Sequence, residues 1–212
     1  MIFKSLVVGQ LEVNCFVLAC EQTREGIIVD PGDNAPGILK LVEEDNLNIV
    51  EVVATHGHFD HIGRAASVIE ATGAPFAIHQ ADMFMVEGLE DIAAFLGFET
   101  DPPPKADRFI DEGDTICFGT KTLSILHVPG HAPGNVALTW DNHAIVGDTL
   151  FAGSIGRTDL EGGDPDVLMA SIKNKLIPLG DDTHLYPGHG PFTTVGQEKK
   201  TNPFLVDRNH LQ

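Results

Sequence analysis

The chain alternates short apolar, β-branched runs with longer amphipathic runs, a pattern typical of a protein that mixes strands and helices. Short runs bounded by turn-forming residues predict strands. We expect the N-terminal run to form an edge strand rather than a signal peptide, because its apolar part is short. The predicted strands are Ile2–Val8, Cys15–Ala19, Gly26–Val29, Ile49–Ala54, Phe76–Ile78, Thr115–Phe118, Leu123–Val128, Val136–Trp140, His143–Val146 and His184–Tyr186.

The longer amphipathic runs predict helices. Apolar residues in the run from Ile62 to Ile69 recur at the spacing of a helix with one buried face, and Asp164–Pro165 supplies an N-cap and a first-turn proline. Because the helices fall between groups of strands, we expect a layered α/β protein with helices outside and sheets inside. The predicted helices are Pro36–Glu44, Ile62–Thr72, Gln80–Val86, Leu89–Leu96, Pro165–Leu176 and Val195–Thr201.

The clearest loop is Phe98–Lys105, with the sequence FETDPPPK. Three consecutive prolines exclude a helix there, and we interpret the segment as a lid or a pocket wall. The chain contains no internal repeat, and its 212 residues suit a single domain, which we assign to residues 1–212.

Composition and charge narrow the expected partners. No apolar run approaches the ~20 residues of a membrane span, and a formal net charge of −18 repels phosphate backbones, which argues against nucleic acid. The scattered Cys15, Cys20 and Cys117 form no disulfide framework. Because all three lie in apolar runs, we predict buried thiols and a cytoplasmic protein. The expected partner is a small-molecule substrate.

A dense set of potential metal ligands directly follows the fourth predicted strand. The motif THGHFDH (residues 55–61) contains three histidines and one aspartate. Side chains alternate along an extended segment, so His56 and His58 point the same way. A following turn lets Asp60 and His61 face a second ion. Solvated polar surfaces rarely combine these residues behind a buried strand, so the motif predicts a metal site.

Three further candidate ligands each follow a predicted strand and a glycine. His131 lies in VPGH, Asp148 in IVGD and His189 in YPGH. The carboxyl ends of strands are where α/β folds commonly place ligand sites. Each of these residues alone would be an ordinary structural residue, but together with the motif they complete a metal site.

The seven residues supply enough ligands for two divalent ions. We assign the first ion to His56, His58 and His131. We assign the second ion to Asp60, His61 and His189, with Asp148 as the bridging ligand. Zn²⁺ is the expected metal, although Fe²⁺ and Mn²⁺ also accept mixed histidine and carboxylate ligation. The other histidines lack ligand spacing and are interpreted as structural, namely His79, His127, His143, His184 and His210.

The motif and three downstream segments together resemble the metallo-β-lactamase superfamily. The matching stretches are THGHFDHIG, GHAPGN, GDTLF and YPGHG, and the likeness extends from Asp30-Pro31-Gly32 to His189. The resemblance implies a four-layer αββα sandwich, with two metals at one edge between the sheets.

Within that superfamily the chain looks most like the short, single-domain glyoxalase II-like hydrolases, which act on hydroxyacylglutathione thioesters. The stretch GDTLFAGSIGRTDLEGGD, Asn174–Gly180 and Asn202–Leu205 carry this likeness. Asp60, and Asp148 in place of a bridging cysteine, separate the chain from the common β-lactamases. The longer glyoxalase II pattern adds a C-terminal helical domain that helps to hold glutathione. Only 23 residues follow His189 here, so the substrate stays open.

The resemblance and the ligand set imply hydrolysis of a thioester such as S-lactoylglutathione. Two ions roughly 3.5–4 Å apart would hold a water, lower its pKa and so provide a hydroxide that attacks the carbonyl. Asp60 is the expected catalytic residue, since it can take the proton of the hydroxide as well as bind metal. A thiolate leaves readily and needs no strong general acid.

Supporting roles are open at several positions. Asp30, in an Asp-Pro-Gly turn, either orients a ligating histidine or only shapes the turn. Arg157 either binds a substrate carboxylate or pairs with Asp159, and pairing is the favoured interpretation. Asn14 and Tyr186 are interpreted as packing residues.

Three other functions are compatible with the motif. An iron-dependent persulfide dioxygenase would hold one iron with His56, His131 and Asp148, and such enzymes show a GRTD segment like residues 156–159. A lactonase would share the hydroxide and differ in pocket shape. A non-catalytic metal protein is disfavoured, because a structural zinc site needs only four ligands.

Overall fold

The computed structural model describes residues 1–206, which form two six-stranded sheets and a short hairpin. The first sheet contains, in spatial order, β1 (Ile2–Val8), β2 (Val13–Ala19), β3 (Glu25–Val29), β4 (Asn48–Val53), β5 (Phe76–Ile78) and β6 (Arg108–Phe109). The second contains β14 (Thr193–Thr194), β13 (His184–Pro187), β10 (His143–Gly147), β9 (Val136–Trp140), β8 (Lys121–His127) and β7 (Thr115–Phe118). The hairpin is β11 (Leu150–Phe151) with β12 (Ser154–Ile155).

Helices cover the outer faces of both sheets. They are α1 (Ala35–Glu44), α2 (Phe59–Ile62), α3 (Ala65–Thr72), α4 (Met83–Glu87), α5 (Leu89–Leu96), α6 (Pro165–Ser171) and α7 (Val195–Thr201). Ile38 of α1 and Val68 of α3 pack on the first sheet, whereas Leu168 of α6 packs on the second. In the described part of the chain, no helix is long and apolar enough to cross a membrane.

The strand β2 shows how the sequence produces four layers. All seven of its residues are buried, because both of its faces are covered. Cys15 and Val17 face the helices, and Phe16 and Leu18 face the second sheet, as strand alternation requires. The result is the αββα sandwich that the resemblance implied, and β1 is the edge strand predicted from the N-terminal run.

The structure corrects four details of the sequence-based expectations. The predicted helix Ile62–Thr72 is two helices, α2 and α3, separated at Gly63–Arg64. The last turns of the predicted helix Pro165–Leu176 are a π-helix over Ile172–Leu176. The prediction of three buried thiols was wrong for Cys117, which is exposed because the edge strand β7 turns alternate residues to solvent. The two-residue strands β6, β11, β12 and β14 were not predicted.

Strand directions bring several loops to one edge of the sandwich. β3 and β4 run parallel in the first sheet, and β10 and β13 run parallel in the second. Their carboxyl ends therefore open at the same side of each sheet. A backbone bridge between Val13 and His189 joins the two sheets there. This edge holds all seven candidate ligands.

Candidate metal centre

The seven candidate ligands come from four segments at the carboxyl ends of strands. His56 and His58 follow β4, and Asp60 and His61 lie on α2 directly after them. The other three follow β8, β10 and β13, and they are His131, Asp148 and His189. The structure therefore brings all seven residues together, although up to 133 positions separate them in the sequence.

Their ligand atoms form groups that match the assignment made from the sequence. Atoms of His56, His58 and His131 lie within 4.8 Å of one another, as do those of Asp60, His61 and His189. The same limit joins His56 and His61 to Asp148, which lies between the two groups. Four short distances show how closely the atoms are packed. They are 2.9 Å for His58 Nδ1 to His131 Nε2, 3.2 Å for His189 Nε2 to Asp60 Oδ2, 3.4 Å for His61 Nε2 to Asp148 Oδ1 and 3.6 Å for His131 Nε2 to Asp148 Oδ2.

Contacts behind the site orient three of the imidazoles. Nδ1 of His61 lies 2.9 Å from the Asp30 carboxylate, while Nδ1 of His131 and Nδ1 of His189 lie 2.8 Å from the carbonyl oxygens of Arg157 and Leu11. Each contact fixes the proton on Nδ1 and leaves Nε2 free to face inward, as ligating histidines commonly do. Asp30 thus orients a candidate ligand and does more than shape its turn.

Two buried polar atoms at the centre have no hydrogen-bond partner. They are Nε2 of His56 and Oδ1 of Asp148. An unpaired buried polar atom costs about 1–3 kcal/mol, so a fold that orients such atoms toward one another requires a further partner. A divalent cation is a partner for a neutral imidazole and a carboxylate together, and the donor set fits two such ions.

The electrostatics of the site also favour bound cations. Burial, with the neighbouring histidines, lowers the pKa of His56 well below its ordinary value and that of His58 to about 4, so both imidazoles are neutral at pH 7. Burial opposes a charge on His61, yet the carboxylates of Asp148, Asp30 and Asp60 raise its pKa well above the ordinary value. The carboxylates thus stabilise positive charge at the second group of ligands, and a metal ion would supply it.

Asp82 connects two of the ligand loops and was not recognised from the sequence. Its carboxylate is fully buried and accepts hydrogen bonds from the Gly57 N–H at 2.9 Å and the Gly134 N–H at 2.6 Å. Burial raises the pKa of Asp82 to about 6, and the two N–H groups limit the rise, so the group is ionised at pH 7. Gly57 separates His56 from His58, so Asp82 holds the motif to the loop that follows His131.

Asn14 holds the loop that carries His189. Its side-chain amide donates to the carbonyl oxygens of Pro187 and Gly190, both at 2.9 Å, and its N–H donates to Gly188 at 2.7 Å. The interpretation of Asn14 as a packing residue was therefore incomplete. Only the three-dimensional contact reveals this role, since 173 positions separate Asn14 from Pro187.

Gly188 passes too close to the site to carry a side chain. A Cβ at this position would collide with Oδ1 of Asp148 and lie 2.6 Å from Cε1 of His61. The backbone before His189 therefore needs glycine, because it closes the metal centre from one side.

The remaining histidines lie away from the centre. His79 and His127 stack at 4.3 Å beside Asp111, and these three could also approach one ion. However, His79 Nδ1 accepts from the Ala81 N–H and His127 Nε2 lies 2.7 Å from the Pro133 carbonyl, so protein groups already use both rings. His143 bonds the Tyr186 hydroxyl at 2.8 Å and His184 stacks on His143. His210 lies outside the described residues.

A cavity of about 970 Å³ opens onto the centre. His58, Asp60, His131, Asp148 and His189 lie in its wall, so a molecule in the cavity reaches the candidate ligands directly. The far wall contains residues of α4 and α5 and Phe98 at the start of the predicted loop. Of the segment Phe98–Lys105, only the first residue, Phe98, forms part of this cavity wall.

Arg157 also lines the cavity, but its guanidinium is occupied. Nε and a terminal nitrogen each donate to the Asp159 carboxylate at 2.8 Å. The favoured sequence interpretation, a pair with Asp159, therefore describes the side chain. The main chain of Arg157 acts differently, since its carbonyl oxygen orients His131.

Comparison with known proteins agrees with this fold. The model of the metallo-beta-lactamase superfamily matches residues 8–189. The hydroxyacylglutathione hydrolase GloC of Haemophilus influenzae is 36% identical over 206 residues, covering 95% of this chain and 97% of the relative. The BLEG-1 B3 metallo-beta-lactamase structure matches with a TM-score of 0.90 at 36% identity, covering 97% of this chain and 100% of BLEG-1. The di-iron-bound form of TTHA1623 matches with a TM-score of 0.87 at 38% identity, covering 95% and 100%. This chain therefore belongs to the metallo-beta-lactamase superfamily.

Proposed function

We propose that this protein is a binuclear metal-dependent hydrolase of thioesters, for which S-lactoylglutathione is the first candidate substrate. The observation that carries the proposal is that seven candidate ligand side chains lie together at the end of a large cavity. Two of them, His56 and Asp148, carry buried polar atoms without a hydrogen-bond partner. A structural zinc site needs only four ligands and is closed to solvent, whereas this set is larger and opens to the cavity.

We propose the same ligand assignment for the two ions. His56, His58 and His131 would hold the first. Asp60, His61 and His189 would hold the second, and Asp148 would bridge. Zn²⁺ is the first choice, and the di-iron form of the TTHA1623 relative makes Fe²⁺ the first alternative, with Mn²⁺ as a further one.

The reaction adds water to the thioester and gives a carboxylate and a thiol. Bound divalent ions would supply Lewis acidity and acidify water at the centre. Asp60 is 16% exposed at its side chain, faces the cavity and lies 3.2 Å from Nε2 of His189. It would therefore receive the proton of the attacking water. The thiolate needs no general acid to leave, which fits a cavity wall without a lysine.

The names of the relatives supply the substrate candidates. GloC is named for hydrolysis of hydroxyacylglutathione, and we extend a thioester substrate to this chain on that similarity. BLEG-1 is named as a β-lactamase, so a β-lactam is the competing substrate. A cytoplasmic location remains a prediction from the cysteine pattern.

Substrate panels on protein loaded with zinc or with iron test the proposal. The expected result is hydrolysis of S-lactoylglutathione, which is measured as a loss of thioester absorbance. We expect little turnover of a chromogenic β-lactam. The control is the His56→Ala, Asp148→Ala double variant, which should be inactive. If the protein hydrolyses only the β-lactam or only a lactone, a thioester is not its substrate. Oxygen uptake with glutathione persulfide and one iron per chain would indicate the dioxygenase reaction.

A further inference from the structure

Exposed apolar side chains are concentrated around the metal-centre cavity. Among the described residues, eleven large apolar side chains are exposed, and six of them line this one cavity. They are Leu11, Phe84, Ile92, Phe95, Leu96 and Leu160. Single exposed apolar residues are ordinary, but a cluster of them marks a binding surface.

This apolar wall is continuous with the candidate ligands. Gly57, between two candidate ligands, would bring a Cβ within 3.0 Å of the Met85 Cβ, so α4 lies directly against the metal motif. The ring of Phe98 contacts that of Phe59 of the same motif, with centroids 5.2 Å apart and the planes tilted by 42°. The part of a substrate next to the group held at the metal centre would therefore contact α4, α5 and Phe98.

The charges of the cavity do not suit a long anionic substrate. Outside the candidate ligands, the charged residues in its lining are Glu161 and Arg157, and Arg157 is the only lysine or arginine among its lining residues. Its guanidinium already makes two bonds to Asp159. Away from the metals, the two carboxylates of a glutathionyl group would thus have one cationic side chain nearby, and that side chain is already paired with Asp159.

We propose that the apolar wall binds an apolar chain or ring attached to the scissile thioester, and that the enzyme prefers such thioesters to S-lactoylglutathione. This inference rests on the proposed thioester hydrolysis. Burial of each methylene group against such a wall raises kcat/KM by up to about fourfold. We therefore expect a gain of about tenfold or more between a two-carbon and a six-carbon chain.

The test compares S-acetyl- and S-hexanoyl-N-acetylcysteamine, together with a benzyl thioester of acetate and S-lactoylglutathione, on the metal-loaded protein. The variant Ile92→Asn, Leu96→Asn changes two exposed positions of α5, which are 47% and 51% exposed. Val167→Asn on α6 is the matched control, since Val167 is 39% exposed and lies outside the cavity wall. The expected result is a hexanoyl or benzyl preference that falls toward unity in the double variant and is unchanged by Val167→Asn.

Two kinds of result would overturn the inference, and they are distinguishable. The apolar wall is rejected, and the thioester hydrolase kept, if the acetyl and lactoyl thioesters are turned over as well as the hexanoyl and benzyl thioesters, or better. The same holds if the double variant leaves the preference unchanged. Absence of turnover for every thioester, with both metals present, rejects the proposed function and the inference together.

Discussion

The carboxylate of Asp30 lies 2.9 Å from Nδ1 of His61, and both side chains are fully buried at the base of the metal centre. The same carboxylate accepts from the N–H and hydroxyl of Thr55, both at 2.7 Å, directly before His56. Asp30, directly after β3, thus connects the backbone before His56 to the side chain of His61. Its hydrogen bond raises the basicity of His61 and fixes the ring so that Nε2 faces the candidate metal centre.

Replacement of Asp30 by asparagine should weaken metal binding without removing a ligand. We expect affinity for the second ion to fall by about 10–100-fold, because an amide holds the His61 ring and its proton less strongly. Competition with a chromophoric chelator measures the change. Asp33→Asn is the matched control, since Asp33 is 47% exposed at its side chain and lies outside the ligand contacts. Equal affinities for the two variants would remove Asp30 from this role.

Asp82→Asn should destabilise the metal-free protein. Both oxygens of Asp82 accept backbone N–H groups, and an asparagine amide can accept only one of them. The lost acceptor leaves a buried N–H unpaired, so the free energy of unfolding should fall by about 1–3 kcal/mol. Urea unfolding at pH 7 measures it. Asp91→Asn, at an exposed position of α5, should change stability by less than about 0.5 kcal/mol.

Gly188→Ala should lower metal content while the sheets remain intact. The added methyl group would collide with Asp148 and His61, so the His189 loop must move away from the other ligands. We expect less than one tightly bound metal per chain and a loss of activity of about 100-fold or more. Elemental analysis and far-ultraviolet circular dichroism separate this local effect from unfolding. Full metal occupancy in the variant would contradict the account.

Arg157→Ala should have a small effect, although Arg157 lines the cavity. Its side chain pairs with an exposed carboxylate, and such surface pairs contribute about 0–1 kcal/mol. Its carbonyl oxygen, which orients His131, survives the substitution. We expect kcat/KM for the preferred thioester to change by less than about threefold. A tenfold rise in KM alone would instead assign the guanidinium to substrate binding.

The parts of the fold that follow local patterns could be predicted from the sequence. All ten predicted strands exist, and their ends differ by at most two residues, because apolar runs bounded by turns leave few alternatives. Strands of two residues, such as β6 and β14, have too few positions to show alternation. The break at Gly63–Arg64 was missed because the helical stripe continues across it.

The candidate ligands were recognisable because histidine and aspartate in this spacing are chemically distinctive. Asp82, Asn14 and Thr55 were not, since their roles depend on hydrogen-bond partners far away in the sequence. An aspartate within a predicted helix gives no indication that both of its oxygens accept backbone hydrogen bonds. The supporting contacts of a metal centre therefore require the structure.

The number of metal ions that each chain binds tests the proposed binuclear centre. Metal-free protein should be titrated with Zn²⁺ while heat release and thioester hydrolysis are followed in the same sample. We expect two ions per chain and activity that rises to a maximum as the second ion binds. A chelator should remove both ions and the activity. Hydrolysis at the same rate by the metal-free protein, or saturation at a single ion in the intact seven-residue site, would contradict the proposed binuclear centre.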